Sequence, residues 1–141
     1  ASQIALGIAL QQPTRQVYCL DGDGASLMHM GSWAIIGQLS PANYYHILLN
    51  NGAHDSVGGQ PTVGLRIDFP AIASACGYKT TLCVATHKEL DEVLAHLDTY
   101  QAPVLLEIKV RKGARKDLGR PTTTPIENKE SLMRLLNEEN Q

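Results

Sequence analysis

The sequence predicts an α/β protein with three layers, in which helices cover both faces of a mostly parallel β-sheet. Short apolar runs of strand length alternate along the chain with segments of helical spacing, and turn-forming residues separate them. Strands that alternate with helices form parallel sheets through right-handed crossovers. With 141 residues, of which 43% are hydrophobic, the chain has the size and apolar content of one domain with its own core.

The first half of the chain divides into two helices and two strands. The predicted elements are a helix over 2–12, a strand over 16–20, a helix over 25–39 and a strand over 44–49. The first helix is apolar almost all round, which is typical of a helix buried in a larger assembly, and Pro13 ends it. The strand at 44–49 is continuously apolar rather than alternating, which is typical of a strand buried on both faces.

The second half begins with a loop over 51–64 that is rich in glycine, and loops of this kind often carry function. Helices are expected after three capping signals, which are Asp68, Thr86 with Glu89, and Thr124 with Pro125. The predicted elements are helices over 69–76, over 86–97 and from 124 to about 138, with strands over 80–84 and 103–110.

Charge and composition exclude several functional classes. The net charge of −2 gives no overall reason to expect a nucleic acid or an anionic membrane as partner. No run of about 18 apolar residues and no targeting segment is present. The three cysteines form no CxxC pair, so we expect buried free thiols and a cytoplasmic protein.

The most informative motif is Gly22-Asp23-Gly24, which follows the first strand, together with Asn50, which ends the second. Ligands of parallel sheets bind beyond the carboxyl ends of the strands. An aspartate and an asparagine at two such ends offer hard oxygen ligands to Mg²⁺, and the glycines allow phosphate to approach the backbone. The helix that begins near Ala25 would direct its positive dipole end at that phosphate.

These residues resemble the cofactor motif of thiamine-diphosphate-dependent enzymes, and the resemblance covers nearly the whole chain as the diphosphate-binding domain. It implies the thiamine-diphosphate-binding fold and two cofactors, thiamine diphosphate and Mg²⁺. Carried over by position, the resemblance makes Asp23, Asn50 and the Gly52 carbonyl the Mg²⁺ ligands. The remaining diphosphate-lining residues that it implies are Gly22, Gly24, Ala25 and Ser26.

The loop from Leu49 to Thr62 is similar to that of phosphonopyruvate decarboxylases, which convert 3-phosphonopyruvate to phosphonoacetaldehyde and CO₂ in phosphonate biosynthesis. Sulfopyruvate decarboxylase is the alternative within the same superfamily. On either reading His54, Asp55 and Ser56 are candidate catalytic residues facing the substrate, with His54 suited to proton transfer near neutral pH. The competing interpretation is that they only bond their own loop.

The same resemblance implies a partner. The activating glutamate belongs to a pyrimidine-binding domain, of the same or another subunit, and nothing in this chain matches it. We therefore expect residues 1–141 to be the C-terminal part of a longer chain that forms a homo-oligomer, and to be inactive alone. A natural small subunit paired with a separate pyrimidine-binding subunit is the alternative.

Residues 112–141 are predicted to form a basic tail followed by a terminal helix. A solvated tail is the ordinary interpretation of such a charge run. The functional alternative is that a cation of this segment pairs with the substrate phosphonate, for which guanidinium groups are well shaped. The candidate substrate residues are Arg115, Lys116 and Arg120.

Two other classes of function compete. A nicotinamide-binding domain is disfavoured because Leu27 stands where the third glycine of its fingerprint belongs, and no acidic residue follows at the required distance. A non-catalytic regulatory or scaffolding domain would not need Asp23 and Asn50 at the mouth of the sheet.

Overall fold

The computed structural model describes residues 1–137, and these form a four-stranded sheet with its helices. The helices are α1 (Ser2–Gln11), α2 (Asp23–Met28), α3 (Gly31–Leu39), α4 (Phe69–Cys76), α5 (His87–Leu94) and α6 (Pro125–Asn137). The strands are β1 (Val17–Gly22), β2 (Tyr44–Asn50), β3 (Ala53–His54), β4 (Gln60–Pro61), β5 (Thr80–Val84) and β6 (Val104–Lys109). Two 3₁₀ turns cover Asp55–Val57 and Leu97–Thr99.

The main sheet has the strand order β1-β2-β6-β5, and all its neighbours are parallel, as predicted. The register places Gly22 opposite Leu49 and Asn50 opposite Lys109. The carboxyl ends of β1, β2 and β6 therefore lie side by side at one edge. The loop after β2 folds over this edge as the small antiparallel pair β3-β4, which the sequence did not predict.

The larger part of the core lies on the face of the sheet that α1, α3 and α4 cover. Its centre is Trp33, which is fully buried and packs against Phe69 and the ring of His46. Each fully buried large apolar side chain contributes about 1.5–3 kcal/mol relative to an exposed one. This cluster therefore fixes the helices that lead into and out of the site.

The opposite face is covered by α5, where Leu90 and Val93 pack on Ile47, Val84 and Leu106. Helices thus lie on both faces, and the three-layer α/β architecture is confirmed. Over β1 and the end of β2 the cover is incomplete in the described part of the chain, since three apolar side chains on this face are exposed. They are Tyr18, Leu20 and Leu49.

The single helix predicted over 25–39 is wrong, because the chain forms α2 and α3 with a break at residues 29 and 30. The His29 N–H donates to the Ser26 carbonyl, and the Ser32 N–H donates to the His29 carbonyl, so the backbone tightens between the helices. The break separates α2, which begins at Asp23 of the motif, from α3, which carries Trp33 and Ile36 in the core. Helical spacing alone does not reveal such a turn.

The predicted capping residues are in place. The Asp68 carboxylate accepts from the N–H of Ala71, and the Thr86 hydroxyl and Glu89 carboxylate form the complete capping box of α5. That helix ends at Leu94, three residues earlier than predicted, and a 3₁₀ turn then brings Leu97 into the core. The start predicted for the last helix is confirmed, whereas its predicted end near residue 138 lies outside the described residues.

One buried amide joins α1 to the strand that follows it. The Asn43 Nδ2 donates to three carbonyl oxygens, of Ala9, Gln12 and Arg15, at 3.1, 2.9 and 2.7 Å. The carbonyls of Ala9 and Gln12 stand at the end of α1, where intrahelical donors run out, and that of Arg15 lies in the turn before β1. Asn43 thereby fixes the direction in which the chain enters β1.

The expectation of three buried thiols holds only in part. All three cysteines are free, and Cys19 is buried, but Cys76 is only half-buried and Cys83 is exposed. Cys83 lies on β5, at the edge of the four-stranded sheet, where fewer neighbours can cover it. None of the helices within residues 1–137 combines the length and the apolar character required to cross a bilayer.

Candidate functional site

Asp23 and Asn50 meet at the shared edge of the sheet, as their positions after β1 and β2 require. Both side chains are buried, with 1% and 0% of their surface exposed. Their oxygens converge on Gly64: a Cβ atom added there would lie 2.6 Å from Asp23 Oδ2 and 2.8 Å from Asn50 Oδ1. The two predicted metal ligands therefore border one small space that the absence of a Gly64 side chain leaves open.

The Asn50 amide is held in one orientation. Its Nδ2 donates to the Gly64 carbonyl at 2.8 Å and to Glu107 Oε1 at 2.6 Å. Its Oδ1 accepts from the Gly52 N–H at 3.2 Å. Because two acceptors occupy the nitrogen side, the oxygen lies on the other side, near the same point beside Gly64 as Asp23 Oδ2.

Asp23 is a buried carboxylate at the first residue of α2. The Thr62 hydroxyl donates to its Oδ2. No basic side chain within residues 1–137 forms an ion pair with it. An unpaired buried charge is costly, so it is normally paired with an opposite charge or a metal. These residues fit Mg²⁺, which favours carboxylate and amide oxygens.

Gly52 stands beside this pair with φ of +68°, a conformation that favours glycine. Its carbonyl accepts from the Thr62 N–H at 2.8 Å. A carbonyl oxygen has a second lone pair, so this bond leaves one acceptor position. Gly52 as a metal ligand remains a prediction.

The residues predicted to line the diphosphate lie together in a cavity of about 390 Å³ at the end of β1. Gly22, Gly24 and Ala25 line it, opposite Ala53 and His54. Ser26, one residue further along α2, is 1% exposed, and its buried hydroxyl has no hydrogen-bond partner among the described residues. A buried hydroxyl normally has a partner, so Ser26 is suited to bind a polar group.

The three predicted catalytic residues follow in the loop over this cavity. His54 is half-buried, and its ring lies against Gly24 so closely that any side chain on Gly24 would overlap with it. Asp55 Oδ2 accepts from Asn51 Nδ2 and from the Gly113 N–H, each at 2.8 Å. Ser56 lines the cavity and is exposed. The structure thus brings all three to the cavity, with Asp55 engaged in holding the loop.

The basic segment approaches the site through its first residues. Arg111 lines the cavity, and the Lys112 ammonium donates to the Gly59 carbonyl. The predicted substrate residues Arg115, Lys116 and Arg120 are exposed and do not line the cavity. Arg115 instead lies 3.4 Å from the carboxylate of Asp117 in solvent, where such a pair contributes little.

A second polar cluster contacts the motif at the end of β1. Asp21 Oδ1 accepts from the Gly22 N–H at 3.1 Å, and its Oδ2 lies 3.5 Å from Nε2 of the buried His46. The other ring nitrogen of His46 lies 3.1 Å from the Tyr78 hydroxyl. Burial alone would raise the pKa of Asp21, but the hydrogen bond and charge of His46 outweigh it, and the pKa is lowered. Asp21 therefore stays ionised and holds the backbone of the motif.

Sequence reasoning missed Thr62, Gly64 and Glu107. Thr62 and Gly64 lie in the glycine-rich loop, but nothing in their spacing indicates that the loop folds back onto Asp23. Glu107 offered a clearer signal, since it is a charged residue inside the apolar run Val104–Ile108. Glutamate is almost never fully buried unless it is paired, so its position in a central strand indicates a special role.

Comparisons with known proteins identify a family and several relatives of this chain. The family model described as "Thiamine pyrophosphate enzyme, C-terminal TPP binding domain" matches residues 1–108. Phosphonopyruvate decarboxylase of Streptomyces viridochromogenes is 42% identical over 90% of this chain and 32% of its own length. That of Streptomyces hygroscopicus is 40% identical over 90% of this chain and 31% of its own.

A more distant relative and a solved structure extend the comparison. Sulfopyruvate decarboxylase subunit beta of Methanothermobacter thermautotrophicus is 34% identical over 80% of this chain and 58% of its own length. Transketolase of Campylobacter jejuni superimposes with a TM-score of 0.55 and 19% identity, over 77% of this chain and 18% of that one. The transketolase likeness shows the fold alone.

The chain spans about a third of the length of the two phosphonopyruvate decarboxylases that it matches. Over that span the family model includes β1, β2 and nearly all of β6, together with the residues that meet at their ends. The chain therefore belongs to the thiamine pyrophosphate enzyme family, as a C-terminal TPP-binding domain.

Proposed function

We propose that this chain supplies the diphosphate and Mg²⁺ half of the active site of a decarboxylase acting on 3-phosphonopyruvate. The products are phosphonoacetaldehyde and CO₂, and the reaction belongs to phosphonate biosynthesis. The observation that carries the proposal is the convergence of Asp23 and Asn50 oxygens at Gly64, in a chain about 40% identical to two phosphonopyruvate decarboxylases. Sulfopyruvate is the alternative substrate, supported by the sulfopyruvate decarboxylase relatives.

In this proposal Asp23, Asn50 and the Gly52 carbonyl hold Mg²⁺, while Gly22, Gly24, Ala25 and Ser26 bind the diphosphate. When bound, thiamine diphosphate supplies the carbon nucleophile and the electron sink that decarboxylation of a 2-oxoacid requires. The chain itself binds and orients the diphosphate end. The buried Ser26 hydroxyl, which has no partner among the described residues, is suited to a phosphate oxygen, as are the first N–H groups of a helix, which have no intrahelical acceptor.

His54 is proposed to move a proton at the substrate end of the cavity, because its half-buried ring lies beside Gly24. Asp55 and Ser56 are proposed to hold the loop and contact the substrate. Replacing His54 with alanine in the assembled enzyme should lower kcat more than it lowers cofactor affinity. An unchanged kcat would dismiss this role.

A cation near the cavity is proposed to recognise the substrate phosphonate. The sequence singles out Arg115, Lys116 and Arg120, which would reach the site only if their segment folded over it. Arg111 already lines the cavity and is the stronger candidate on geometry. Alanine at the recognising position should raise KM for phosphonopyruvate with little change in kcat, and an unchanged KM for all four variants would leave the segment as a solvated tail.

The other half of the site is proposed to come from a pyrimidine-binding domain, in the same or another subunit of a cytoplasmic homo-oligomer. Relatives named as subunit beta indicate that a domain of this kind also occurs as one subunit of an assembly. The isolated chain should then show no decarboxylation. Measurable turnover by the chain alone would refute the half-site.

The first test is isothermal titration of thiamine diphosphate into the chain, with Mg²⁺ and with EDTA. Binding should require Mg²⁺ and should be lost in Asp23→Ala. Asp91→Ala, which removes an exposed aspartate from α5, is the matched control and should bind like the unmodified chain. Binding that survives in EDTA, or in Asp23→Ala, would refute the proposed metal site.

The substrate is tested separately, on the assembled enzyme. Phosphonopyruvate and sulfopyruvate differ in the charge and geometry of one anionic group, so the ratio of their kcat/KM values decides between them. We expect the ratio to favour phosphonopyruvate. A ratio in favour of sulfopyruvate would assign the alternative.

A further inference from the structure

Glu107 is a buried carboxylate directly behind the proposed metal site. It lies in β6, the strand next to β2, and only 3% of its surface is exposed. Its Oε1 accepts from Asn50 Nδ2 at 2.6 Å, the shorter of the two hydrogen bonds that the amide donates. Glu107 thus reaches the proposed metal through one intervening side chain, Asn50.

No described side chain forms an ion pair with Glu107. Arg66 and Lys109 line a cavity with it, yet within residues 1–137 neither forms an ion pair with it. Its other polar neighbour is the Cys83 thiol, whose pKa is raised by desolvation and by its hydrogen bond with Glu107. A thiol is a weak hydrogen-bond donor and carries no positive charge.

The chain therefore buries two carboxylates, Asp23 and Glu107, on opposite sides of one neutral amide. Two negative charges close together in a region of low dielectric repel each other and are costly to desolvate. A divalent cation at the Asp23 end would be attracted by both carboxylates, and a monovalent cation more weakly.

We propose that Glu107 is a positioning residue for the metal. It fixes the Asn50 amide with its oxygen towards Asp23, and with Asp23 it supplies the second negative charge that matches a divalent ion. This inference rests on the proposed function, because it concerns the same Mg²⁺. It predicts that Glu107 lowers the stability of the metal-free chain and raises that of the metal-bound chain.

Two variants distinguish the contribution of the Glu107 charge from its contribution to the orientation of the Asn50 amide. Glu107→Gln removes the charge but keeps an oxygen that can accept from Asn50. Glu107→Met removes both, which leaves the Gly64 carbonyl and the Gly52 N–H as the contacts that hold the amide. Glu92→Gln removes the charge of an exposed glutamate on α5 and is the matched control.

The measurement is urea unfolding of each chain, first in EDTA and then across a titration of MgCl₂ at fixed thiamine diphosphate. A ligand that binds only the folded state raises stability as its concentration exceeds its Kd. For Glu107→Gln we expect a urea midpoint in EDTA at or above that of the unmodified chain. The Mg²⁺ concentration for half-maximal stabilisation should rise at least tenfold, and further in Glu107→Met.

Three outcomes would overturn the proposal. An unchanged Mg²⁺ requirement in both variants would show that Glu107 does not serve the metal. A lower urea midpoint in EDTA for both variants, with an unchanged Mg²⁺ requirement, would make its role merely structural. An equal rise in the Mg²⁺ requirement of Glu92→Gln would assign the effect to the overall charge of the chain.

The same data distinguish this inference from the proposed function. If Mg²⁺ stabilises the unmodified chain but not Asp23→Ala, the metal site stands, and the Glu107 variants alone decide the inference. If Mg²⁺ with thiamine diphosphate does not stabilise the unmodified chain at all, both proposals fail together.

Discussion

Replacing Gly64 with alanine tests the metal site with a single methyl group. The added Cβ would lie 2.6 Å from Asp23 Oδ2 and 2.8 Å from Asn50 Oδ1, short of the 3.4 Å of ordinary contact by about 0.8 Å and 0.6 Å. Mg²⁺ ligands tolerate displacements of only about 0.2 Å around their ideal distance of about 2.1 Å. The methyl group therefore forces both ligands out of coordinating positions.

The expected effect has two parts. Forcing an extra methyl group into a closely packed region costs about 1–3 kcal/mol of unfolding free energy. The loss of alignment should raise the Mg²⁺ concentration needed for half-maximal stabilisation at least tenfold, which corresponds to about 1.4 kcal/mol. Both quantities come from urea unfolding in EDTA and across a titration of MgCl₂ with thiamine diphosphate.

The matched control is Gly7→Ala, because a Cβ at Gly7 in α1 would meet nothing within 4 Å. Alanine in a helix interior should stabilise that variant by about 0.5–1 kcal/mol, with the Mg²⁺ requirement unchanged. If Gly64→Ala kept the Mg²⁺ requirement of the unmodified chain, Asp23 and Asn50 would not be joint ligands at this point, and the reasoning would be refuted.

Three further predictions concern stability away from the metal. Gly37→Ala should destabilise the chain by about 3 kcal/mol or more in urea unfolding, because its Cβ would overlap with the backbone carbonyl of Cys76 and the helices cannot separate freely; a loss under 1 kcal/mol would contradict the close approach of α3 and α4. Asn43→Ala should cost about 2–3 kcal/mol, since the carbonyls of Ala9 and Arg15 lose the amide donor while that of Gln12 keeps only the Arg15 N–H, and an unchanged urea midpoint would show that water replaces the amide. The N–H groups of residues 85 and 86 and the Thr86 hydroxyl lower the pKa of Glu89; a carboxyl whose pKa is lower in the folded state stabilises the fold above its unfolded pKa, so this contribution should disappear as the pH falls through and below about 4.3. Glu89→Gln should flatten that part of the pH profile, and an identical slope in both chains would contradict the capping role.

The alternation of apolar runs and helical spacing was enough to predict the α/β class, the parallel sheet and its three layers. Local signals placed the helix starts at Asp68 and Thr86, because a cap is a contact between residues three positions apart. Asp23 and Asn50 could be paired in advance because parallel strands end at one edge of the sheet. These predictions needed only short-range contacts or a general rule of topology.

The tertiary structure decided what depends on contacts between distant segments. The return of Thr62 and Gly64 to Asp23 and the hydrogen bond of Glu107 to Asn50 each join residues that no local pattern connects. The bond between Glu107 and Asn50 spans 57 positions of sequence. The sequence alone thus determined which side chains could bind Mg²⁺ and a diphosphate. Only the tertiary structure determined how the Asn50 amide is oriented, because that orientation depends on two acceptors for its nitrogen, Glu107 in β6 and the Gly64 carbonyl in the loop.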